Sequence, residues 1–277
     1  MVLKGFAGTA VIVYDAQTLS PSAYSNRAMA ELVKAMQELE LWDGLWITNE
    51  RCAIMKRRKV AIMSDLHIGL ESVLEASGLH LPHIQTDSMK ASLLRIIERY
   101  QPDQFIILGD LKHEFSKNLT QEWSEVQRLL GILQERGKVV VIKGNHDNYL
   151  ATIASKMGID LVEQYELDGI TFSHGHLLND SRPLVIGHEH PSIRLFDPVG
   201  ACVKMPCFLH LPVDKILIIP AFSPLTSGTD FTGATTNNVM SPVLRSSDLA
   251  KARAYGISEI GLLSLGELGG LGRHQDG

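Results

Sequence analysis

Most histidines of this sequence lie in short polar segments, each placed directly after an apolar run. Seven of the eleven histidines occupy five such segments. The segments are Ser-Asp-Leu-His (64–67), Gly-Asp-Leu-Lys-His-Glu (109–114), Gly-Asn-His-Asp (144–147), His-Gly-His (174–176) and Gly-His-Glu-His (187–190). Imidazole, carboxylate and amide oxygen together suit divalent ions such as Mn²⁺, Fe²⁺ and Zn²⁺. Because the segments contain no cysteine, we expect a metal centre other than a closed structural zinc site.

The spacing of polar residues within the segments supports this interpretation. In 65–67, 174–176 and 188–190, two polar residues are separated by one other residue. In extended backbone, residues two positions apart point to the same face. We therefore expect each pair to present two ligands to one metal centre, while Leu66 turns to the core.

Each polar segment follows a run whose composition predicts a buried β-strand. The runs are Val60–Met63, Phe105–Leu108, Val139–Ile142, Ile170–Ser173 and Leu184–Ile186. Continuous apolar runs of this length are typical of strands covered on both faces. Open α/β sheets carry their chemistry at the carboxyl ends of such strands. Segment 144–147 alone would also suit an ordinary turn, so its interpretation depends on the other segments converging on it.

The predicted strands and helices that position these segments follow a different order in the two halves of the chain. Up to about Met157, predicted strands alternate with helices at His83–Tyr100, Thr120–Glu135 and Tyr149–Met157. After that point, short strands joined by turns predominate. Two sheets packed face to face with helices outside accommodate both halves. The predicted fold class is therefore α/β (α+β), with two facing mixed β-sheets flanked by helices in a four-layer sandwich.

Several elements are predicted from weaker patterns. They are a helix at Asn26–Glu40, a single strand at Asp160–Tyr165, a helix at Ser247–Tyr255 and a strand at Glu259–Leu265. The basic run Lys56-Arg57-Arg58-Lys59 is predicted to turn the chain between two strands of a hairpin. That run suits either a solvated turn or a patch that contacts phosphate.

The predicted domain organisation has two parts. Residues 1–45 form an N-terminal extension, which either packs on the main body or recruits a protein partner. Residues 46–277 form the main domain, with the polar segments in a core of about 46–220 and a loop, helix and strand in 221–277.

Composition restricts the function further. The formal net charge of −5 argues against a broad basic face that holds duplex DNA. The three cysteines, Cys52, Cys202 and Cys207, have no CxxC spacing and fit a reducing, intracellular setting. The sequence has no signal-peptide layout and no apolar run near the roughly 18 residues that span a bilayer. We expect a cytoplasmic protein with no membrane association.

The order of the segments resembles a known superfamily. Asp-x-His, Gly-Asp, Gly-Asn-His-Asp, His and Gly-His-x-His, in this order, are similar to the motifs of the calcineurin-like metallophosphoesterases, over about 45–219. The sequences SDLHIGLE, LGDLKHEF, VIGHEHP and IIPAFSPLTSG resemble the archaeal SbcD-related phosphoesterases within it. The Gly-Asp-Leu-x-His arrangement of Asp110 and His113 also resembles the SbcD-type repair nucleases.

The resemblance implies two divalent metal ions held by seven side chains. The ligands of one ion would be Asp65, His67, Asp110 and His190, and those of the other would be Asp110, Asn145, His174 and His188. The Asp110 carboxylate would therefore bridge the two ions.

The resemblance also implies roles for residues that bind no metal. His146 would face the phosphate as a catalytic residue, with Asp147 fixing its tautomer. His113 matches the additional histidine of the nuclease branch, although a surface loop position beside Glu114 is the alternative. His176 is not required by the shared pattern, and we expect it to support the site or belong to the turn.

The resulting hypothesis is a metal-dependent phosphoesterase that hydrolyses phosphodiesters with a hydroxide bridging the two ions. Mn²⁺ is the first candidate, with Zn²⁺ or Fe²⁺ as alternatives. The nuclease-like motif favours DNA or RNA, possibly single-stranded or with an accessible end, and a role in DNA repair. A phosphodiesterase or phosphatase acting on a small nucleotide or other phosphoester is the second hypothesis. A non-catalytic scaffold on this fold is the third, but such a protein is expected to lose ligands, and here every position is filled.

Overall fold

The computed structural model describes residues 2–6, 9–13, 37–42, 44–76, 78, 85–113, 120–148, 150–196, 202–233 and 236–271. Strands β1 (Val2–Phe6) and β2 (Thr9–Val13) form a small antiparallel hairpin. Two larger sheets contain the other described strands. Within the described ranges, no helix is both long enough and apolar enough to span a membrane.

The first large sheet has seven strands in chain order. They are β3 (Glu38–Trp42), β4 (Leu45–Thr48), β5 (Ala53–Met55), β6 (Val60–Met63), β7 (Gln104–Ile107), β8 (Lys138–Ile142) and β9 (Asp160–Val162). Strands β3 to β6 are antiparallel neighbours, and β6 to β9 are parallel. The carboxyl ends of β6, β7 and β8 therefore lie at one edge of the sheet.

The second large sheet has nine strands. They are β10 (Gln164–Leu167), β11 (Ile170–Ser173), β12 (Leu184–Ile186), β13 (Pro191–Phe196), β14 (Cys202–Leu211), β15 (Ile216–Ile218), β16 (Thr229–Asp230), β17 (Arg253–Ser258) and β18 (Gly261–Glu267). Its main order is β10-β11-β12-β15-β14-β13-β16, and β17 pairs with both β14 and β18. Strands β11, β12 and β15 are parallel, so their carboxyl ends also share an edge.

A short helix, α1 (Leu70–Ala76), follows the turn after β6. Three longer helices cover the outer face of the first sheet: α2 (Gln85–Tyr100), α3 (Thr120–Gln134) and α4 (Leu150–Met157). In β6, Ala61 and Met63 pack into the core that includes α2, α3 and α4, whereas Val60 and Ile62 pack between the two sheets. This period of two explains why all four residues of β6 are apolar and buried.

The outer face of the second sheet is covered differently. Its apolar residues pack against a segment with three short 3-10 turns, Thr236–Asn238, Pro242–Leu244 and Leu249–Lys251, and against helix α5 (Leu268–Leu271). The predicted fold class is confirmed: two facing mixed sheets lie between outer layers. The fourth layer consists mainly of turns instead of long helices.

Three predicted elements are wrong where the structure describes them. The helix at Asn26–Glu40 cannot extend to its predicted end, because Glu38–Trp42 is strand β3, paired with β4; residues 26–36 lie outside the described ranges. This edge strand also takes part of the predicted 1–45 extension into the first sheet. The single strand at Asp160–Tyr165 is two strands, because the chain leaves one sheet at Val162 and enters the other at Gln164.

The third wrong element is the helix at Ser247–Tyr255. Leu249–Lys251 forms a 3-10 turn, and strand β17 begins at Arg253. Pairing with β14 and β18 on both sides outweighs the helix-favouring Ala-Lys-Ala composition of this segment. The strand predicted at Glu259–Leu265 is observed as β18, two residues later at each end.

The basic run Lys56–Lys59 lies at the opposite end of β6 from the polar segments. Lys56–Arg58 forms a 3-10 turn that precedes β6. Lys56 forms an ion pair with Glu38, and Arg58 donates two hydrogen bonds to the Asp168 carboxylate. This position favours the solvated turn over the phosphate-contacting patch.

Candidate metal centre and active site

The five polar segments follow β6, β7 and β8 of the first sheet and β11 and β12 of the second, and they meet at one edge of the sandwich. Within the first sheet, the Asp65 amide donates to the Gly109 carbonyl at 3.1 Å. Between the sheets, the His188 amide donates to Oδ2 of Asp65 at 2.9 Å, and Ser64 forms a parallel bridge with Ala221. Backbone hydrogen bonds thus fix the segments relative to one another.

The structure brings together four predicted ligands around one point. Donor atoms of Asp65, His67, Asp110 and His190 all lie within 4.8 Å of one another. Nε2 of His190 lies 3.1 Å from Oδ1 of Asp65 and 3.2 Å from Nε2 of His67. Oδ1 of Asp65 is buried and accepts no hydrogen bond from any described residue. A buried carboxylate oxygen facing two imidazole nitrogens is a suitable set of donors for a divalent cation.

A second group shares Asp110 with the first. Donor atoms of Asp110, His174 and His188 lie within 4.8 Å of one another. Nε2 of His174 lies 3.4 Å from Oδ2 of Asp110 and 3.0 Å from Oδ1 of Asn145. All the predicted metal ligands are therefore gathered in two adjacent groups, with the carboxylate of Asp110 between them.

The tautomer of His174 is fixed by a hydrogen bond to a backbone carbonyl. Its Nδ1 lies 2.6 Å from the carbonyl oxygen of Leu108, which accepts the Nδ1 proton. This leaves the lone pair of Nε2 directed at the oxygens of Asp110 and Asn145, an arrangement that requires a shared cation or proton. Burial lowers the pKa of His174, but the hydrogen bond to Asp110 and the two nearby carboxylate charges raise it to about 9. The environment thus favours a positive charge at this position, and a metal ion would supply it.

The protonation states of four other members also suit metal ligation. Burial lowers the pKa of His67 to about 3 and that of His188 to about 4, so both rings are neutral near pH 7. Burial acts to raise the pKa of Asp65, but the neighbouring imidazoles, His190 first, bring it below its usual range. Burial likewise opposes ionisation of Asp110, and the hydrogen bond from His174 lowers its pKa. Ionised carboxylates and neutral imidazoles are the forms that bind divalent ions.

Five of the predicted ligands adopt left-handed backbone conformations. Their φ angles are 56° for Asp65, 46° for His67, 49° for Asp110, 66° for His188 and 44° for His190. Non-glycine residues rarely adopt this conformation, and such strain concentrates at functional sites. The expectation that extended backbone aims each pair at one face is therefore wrong. The side chains converge because the chain turns sharply after each strand.

Two glycines in these segments are required because neighbouring side chains leave no room for a Cβ. A Cβ at Gly144 would lie 2.9 Å from Cγ of Asp110 and nearer still to its Oδ1. A Cβ at Gly187 would lie 2.5 Å from Oδ2 of Asp65 and would overlap Oγ of Ser64. Neither glycine has a positive φ, so a side chain is excluded here by space and not by backbone conformation.

His146 and His113 lie together beside the first group. Their rings are stacked with centroids 5.9 Å apart, and both rings contact that of His67 at centroid distances of 5.4 and 5.3 Å. Nε2 of His146 lies 4.0 Å from Oδ2 of Asp110, and its side chain is 29% exposed. His146 is therefore placed where a substrate can reach it. His113 lies at the site and not on a remote surface loop.

The predicted role of Asp147 is wrong. Its carboxylate accepts hydrogen bonds from the amides of Leu111 (2.9 Å) and Gly144 (2.8 Å) and is 2% exposed. The group that orients His146 is the carbonyl oxygen of His113, 3.0 Å from Nδ1. Asp147 instead ties the segment after β8 to the segment after β7. Burial raises its pKa to about 6.

His176 lies at the edge of the second group. Its ring centroid is 5.2 Å from that of His174 and 6.1 Å from that of His188. It belongs to neither group of donor atoms among the described residues. This placement agrees with a residue that packs beside the ligands.

Two supporting residues were missed by the sequence analysis. Gln85 donates to the carbonyl of His67 at 2.9 Å and to Oγ of Ser223 at 2.8 Å. Glu189 is fully buried and accepts a hydrogen bond from the amide of Ser241. Glu189 could have been identified from the sequence, because it is a carboxylate between two predicted ligands, at a position expected to face the core. Gln85 could not, because a single Gln at the start of a helix has no distinctive pattern.

Comparison with known proteins agrees with this geometry. The family model described as calcineurin-like phosphoesterase matches residues 58–245. The crystal structure of Pseudomonas putida nuclease MPE resembles this chain with a TM-score of 0.62 at 23% identity, covering 83% of this chain and 100% of that one. A structure of a protein of unknown function from Aquifex aeolicus gives a TM-score of 0.31 at 18% identity, covering 51% of this chain and 81% of that one. No curated protein matches the sequence.

The family match covers strands β6 to β16 and every side chain in the two donor groups. The likeness to the Pseudomonas putida structure is one of fold. The donor set, its burial and its ionisation suit divalent metal ions. The chain therefore belongs to the calcineurin-like phosphoesterase family and is a metal-dependent phosphoric ester hydrolase.

Proposed function

We propose that this phosphoesterase is a phosphodiesterase that acts on nucleic acid, with Mn²⁺ as the first candidate metal. The observation that carries the proposal is the position of His113, whose ring stacks on His146 and contacts His67. The histidine of the Gly-Asp-Leu-x-His motif thus lies beside a candidate metal ligand, which supports a role for it in a nuclease-like reaction. The structural likeness to a protein described as a nuclease is consistent with this choice.

The proposed metal assignment follows the two donor groups. Asp65, His67, Asp110 and His190 would hold one ion, and Asp110, Asn145, His174 and His188 the other. When bound, two such ions supply Lewis acidity and a nucleophilic oxygen at neutral pH. Asp110 would be the shared ligand, since its Oδ2 lies 3.9 Å from Nε2 of His67 and 3.4 Å from Nε2 of His174.

The protein's own groups have separate tasks in the proposed reaction. His146 keeps its Nδ1 proton on the His113 carbonyl, so its Nε2 is the atom available to the substrate. With a second proton on Nε2, it would stabilise the charge on the phosphoryl oxygens, or donate that Nε2 proton to the leaving oxygen and keep the one on Nδ1. His113 both orients His146 through its carbonyl and presents a second imidazole to the substrate. The main-chain turns hold these groups in place before substrate binds.

A small phosphodiester or nucleotide is the second candidate substrate. The formal net charge of −5 favours it, because an acidic protein repels an extended polyanion. On the first proposal, nucleic-acid contact is local, near the metal centre, and depends on bound cations to offset the charge.

An activity panel distinguishes these candidates. The protein is reconstituted with Mn²⁺, Zn²⁺ or Fe²⁺ and assayed on single-stranded DNA, RNA, cyclic nucleotides and an aryl phosphodiester, with Asn145→Ala as the inactive control. We expect hydrolysis of single-stranded DNA or RNA that Asn145→Ala lacks. Hydrolysis of only the cyclic nucleotides or the aryl diester would favour the second candidate. Full metal loading without any activity would indicate a scaffold.

A further inference from the structure

Arg51 is a cation without a carboxylate partner close to the metal centre. It follows β4 and has a φ of 58°, and its half-buried guanidinium donates a hydrogen bond from Nη1 to the Ser223 carbonyl at 2.8 Å. Among the described residues, no carboxylate forms an ion pair with it, whereas Arg58 pairs with Asp168 and Arg95 with Glu50. A buried cation is costly unless an anion compensates it.

The cavity beside Arg51 has one candidate metal ligand in its lining. Arg51, His190 and Lys204 line a cavity of about 270 Å³. The ammonium of Lys204 donates to the carbonyl of Gly228 at 2.6 Å, and it likewise has no carboxylate partner among the residues that the structure describes. Within the described part of the chain, each of these two positive charges is held only by a backbone carbonyl, and both line a cavity that His190 also lines.

This cavity continues into a longer groove. Arg51 and Lys204 also line a neighbouring space of about 720 Å³, which extends past Ser88 and Ser92 on helix α2. Glu50 and Glu259 line the same groove, and both oxygens of Glu50 are held by Arg95 at 2.8 and 2.9 Å. The smaller cavity, which His190 lines, has Arg51 and Lys204 but no carboxylate in its lining, and it suits a negatively charged group of the substrate.

We propose that Arg51, assisted by Lys204, binds the phosphate group that neighbours the scissile phosphodiester, which makes Arg51 a specificity residue for substrates with more than one phosphate. This inference rests on the proposed function, since it concerns the substrate of the same site. Guanidinium is well suited to phosphate, because its fork of donors matches two phosphate oxygens. A simple diester has no second phosphate and gains nothing from Arg51.

The competing explanation is that Arg51 only holds the loop that begins at Ser223. The variant Arg51→Asn removes the guanidinium without straining the backbone, because asparagine tolerates a left-handed conformation; comparing its activity on two substrates then separates the two roles. Lys59→Asn is the matched control: Lys59 is also basic and has a φ of 51°, but it precedes β6, at the end opposite the site. Both variants remove one positive charge at a backbone position of the same kind.

The test compares a single-stranded oligonucleotide with an aryl phosphodiester, both assayed with Mn²⁺. For Arg51→Asn we expect kcat/KM on the oligonucleotide to fall about 10- to 100-fold, as for a lost charge-assisted hydrogen bond. Its kcat/KM on the aryl diester stays near the wild-type value. The slope of log kcat/KM against log salt becomes shallower by about 0.7, the contribution of one single-strand phosphate contact. Lys59→Asn resembles wild type on both substrates.

An equal loss on both substrates would overturn the inference in favour of the loop-holding role, and a lack of loss on either substrate would overturn it as well.

A product analogue tests Arg51 independently of nuclease activity. Thymidine 3′,5′-bisphosphate should inhibit aryl diester hydrolysis more strongly than thymidine 5′-monophosphate, and Arg51→Asn should abolish that preference. If no oligonucleotide is cleaved but the preference depends on Arg51, the proposed function fails and the inference stands. If oligonucleotides are cleaved and Arg51→Asn does not change that cleavage, the proposed function stands and the inference fails.

Discussion

The carbonyl oxygen of His113 lies 3.0 Å from Nδ1 of His146, and the two imidazole rings stack with centroids 5.9 Å apart. This contact joins the turn after β7 to the turn after β8. It determines which nitrogen of His146 faces the site, a role that a carboxylate performs in many enzymes. In the proposed reaction, the chemistry of His146 would therefore depend on the backbone of its neighbouring segment.

Replacing His146 by alanine should reduce kcat on a phosphodiester by about 10²- to 10⁴-fold, the usual effect of losing a general acid or electrostatic stabiliser. Metal content should not change, because His146 belongs to neither donor group among the described residues. Steady-state kinetics together with metal analysis of the purified variant check this. Wild-type turnover by His146→Ala would remove His146 from the mechanism.

Replacing Asp147 by asparagine should destabilise the fold. The two carboxylate oxygens accept amide protons from Leu111 and Gly144, and an asparagine amide would turn a donor towards one of those N–H groups. We expect a loss of about 1–3 kcal/mol in the free energy of unfolding, as for an unsatisfied buried donor. Urea denaturation measures the loss. Unchanged stability combined with a shifted pH–rate profile would instead support Asp147 as the group that fixes the His146 tautomer.

Replacing Gly144 by alanine should inactivate the enzyme, because the added methyl group would occupy the space of the Asp110 carboxylate. We expect loss of bound metal and of diesterase activity together. Gly131→Ala is the control, since a Cβ at that position on helix α3 meets no atom within 4 Å. That control should keep full activity and gain about 0.5–1 kcal/mol of stability. An active Gly144→Ala variant would mean that Asp110 is not held as tightly as described.

A pH effect on stability is expected from a contact remote from the metal centre. Nε1 of Trp42 on β3 donates to Nε2 of His210 on β14 at 3.0 Å, which joins the two sheets and requires a neutral histidine. Burial lowers the pKa of His210 from 6.5 to about 4. Between these values the unfolded chain binds the extra proton, so the free energy of unfolding falls as the pH falls from 6.5 towards 4.

This contribution is fully present above pH 6.5. By pH 5 we expect a loss of about 1 kcal/mol, a figure that allows for solvent screening of the ring. His210→Gln keeps an acceptor for Trp42 without a titrating group, so its stability should depend less on pH. Urea denaturation at pH 7.5 and pH 5 in a chelator measures the difference. Parallel pH dependence in both proteins would contradict the assignment.

The position of the site could be predicted from the sequence because its signals are local. Apolar runs such as Val60–Met63 indicated buried strands, and polar residues followed them directly. The carboxyl ends of parallel strands share an edge, so convergence of Asp65, Asp110 and Asn145 followed from topology. The left-handed turns that aim these side chains were not foreseeable, because side-chain type alone does not indicate a positive φ at Asp65 or Asp110.

What could not be predicted depends on contacts between distant segments. Asp147 follows His146 directly, yet its carboxylate binds amides on another segment, and only the folded chain shows this. The change of sheet at Glu163 likewise leaves no periodic signal, since both flanking stretches are strands. Strand β17 overrides local helix preference because two neighbouring strands pair with it.

The metal content of the reconstituted protein tests the central claim, that Asp110 is shared by two metal sites. After loading with Mn²⁺ and removal of excess ion, the account predicts two ions per wild-type chain by mass spectrometry. It predicts two for His176→Ala, a histidine beside the donor groups but outside them. Asn145→Ala should lose mainly one ion, whereas Asp110→Ala should lose both, together with all diesterase activity. A single ion in the wild type, or two ions retained by Asp110→Ala, would contradict the account.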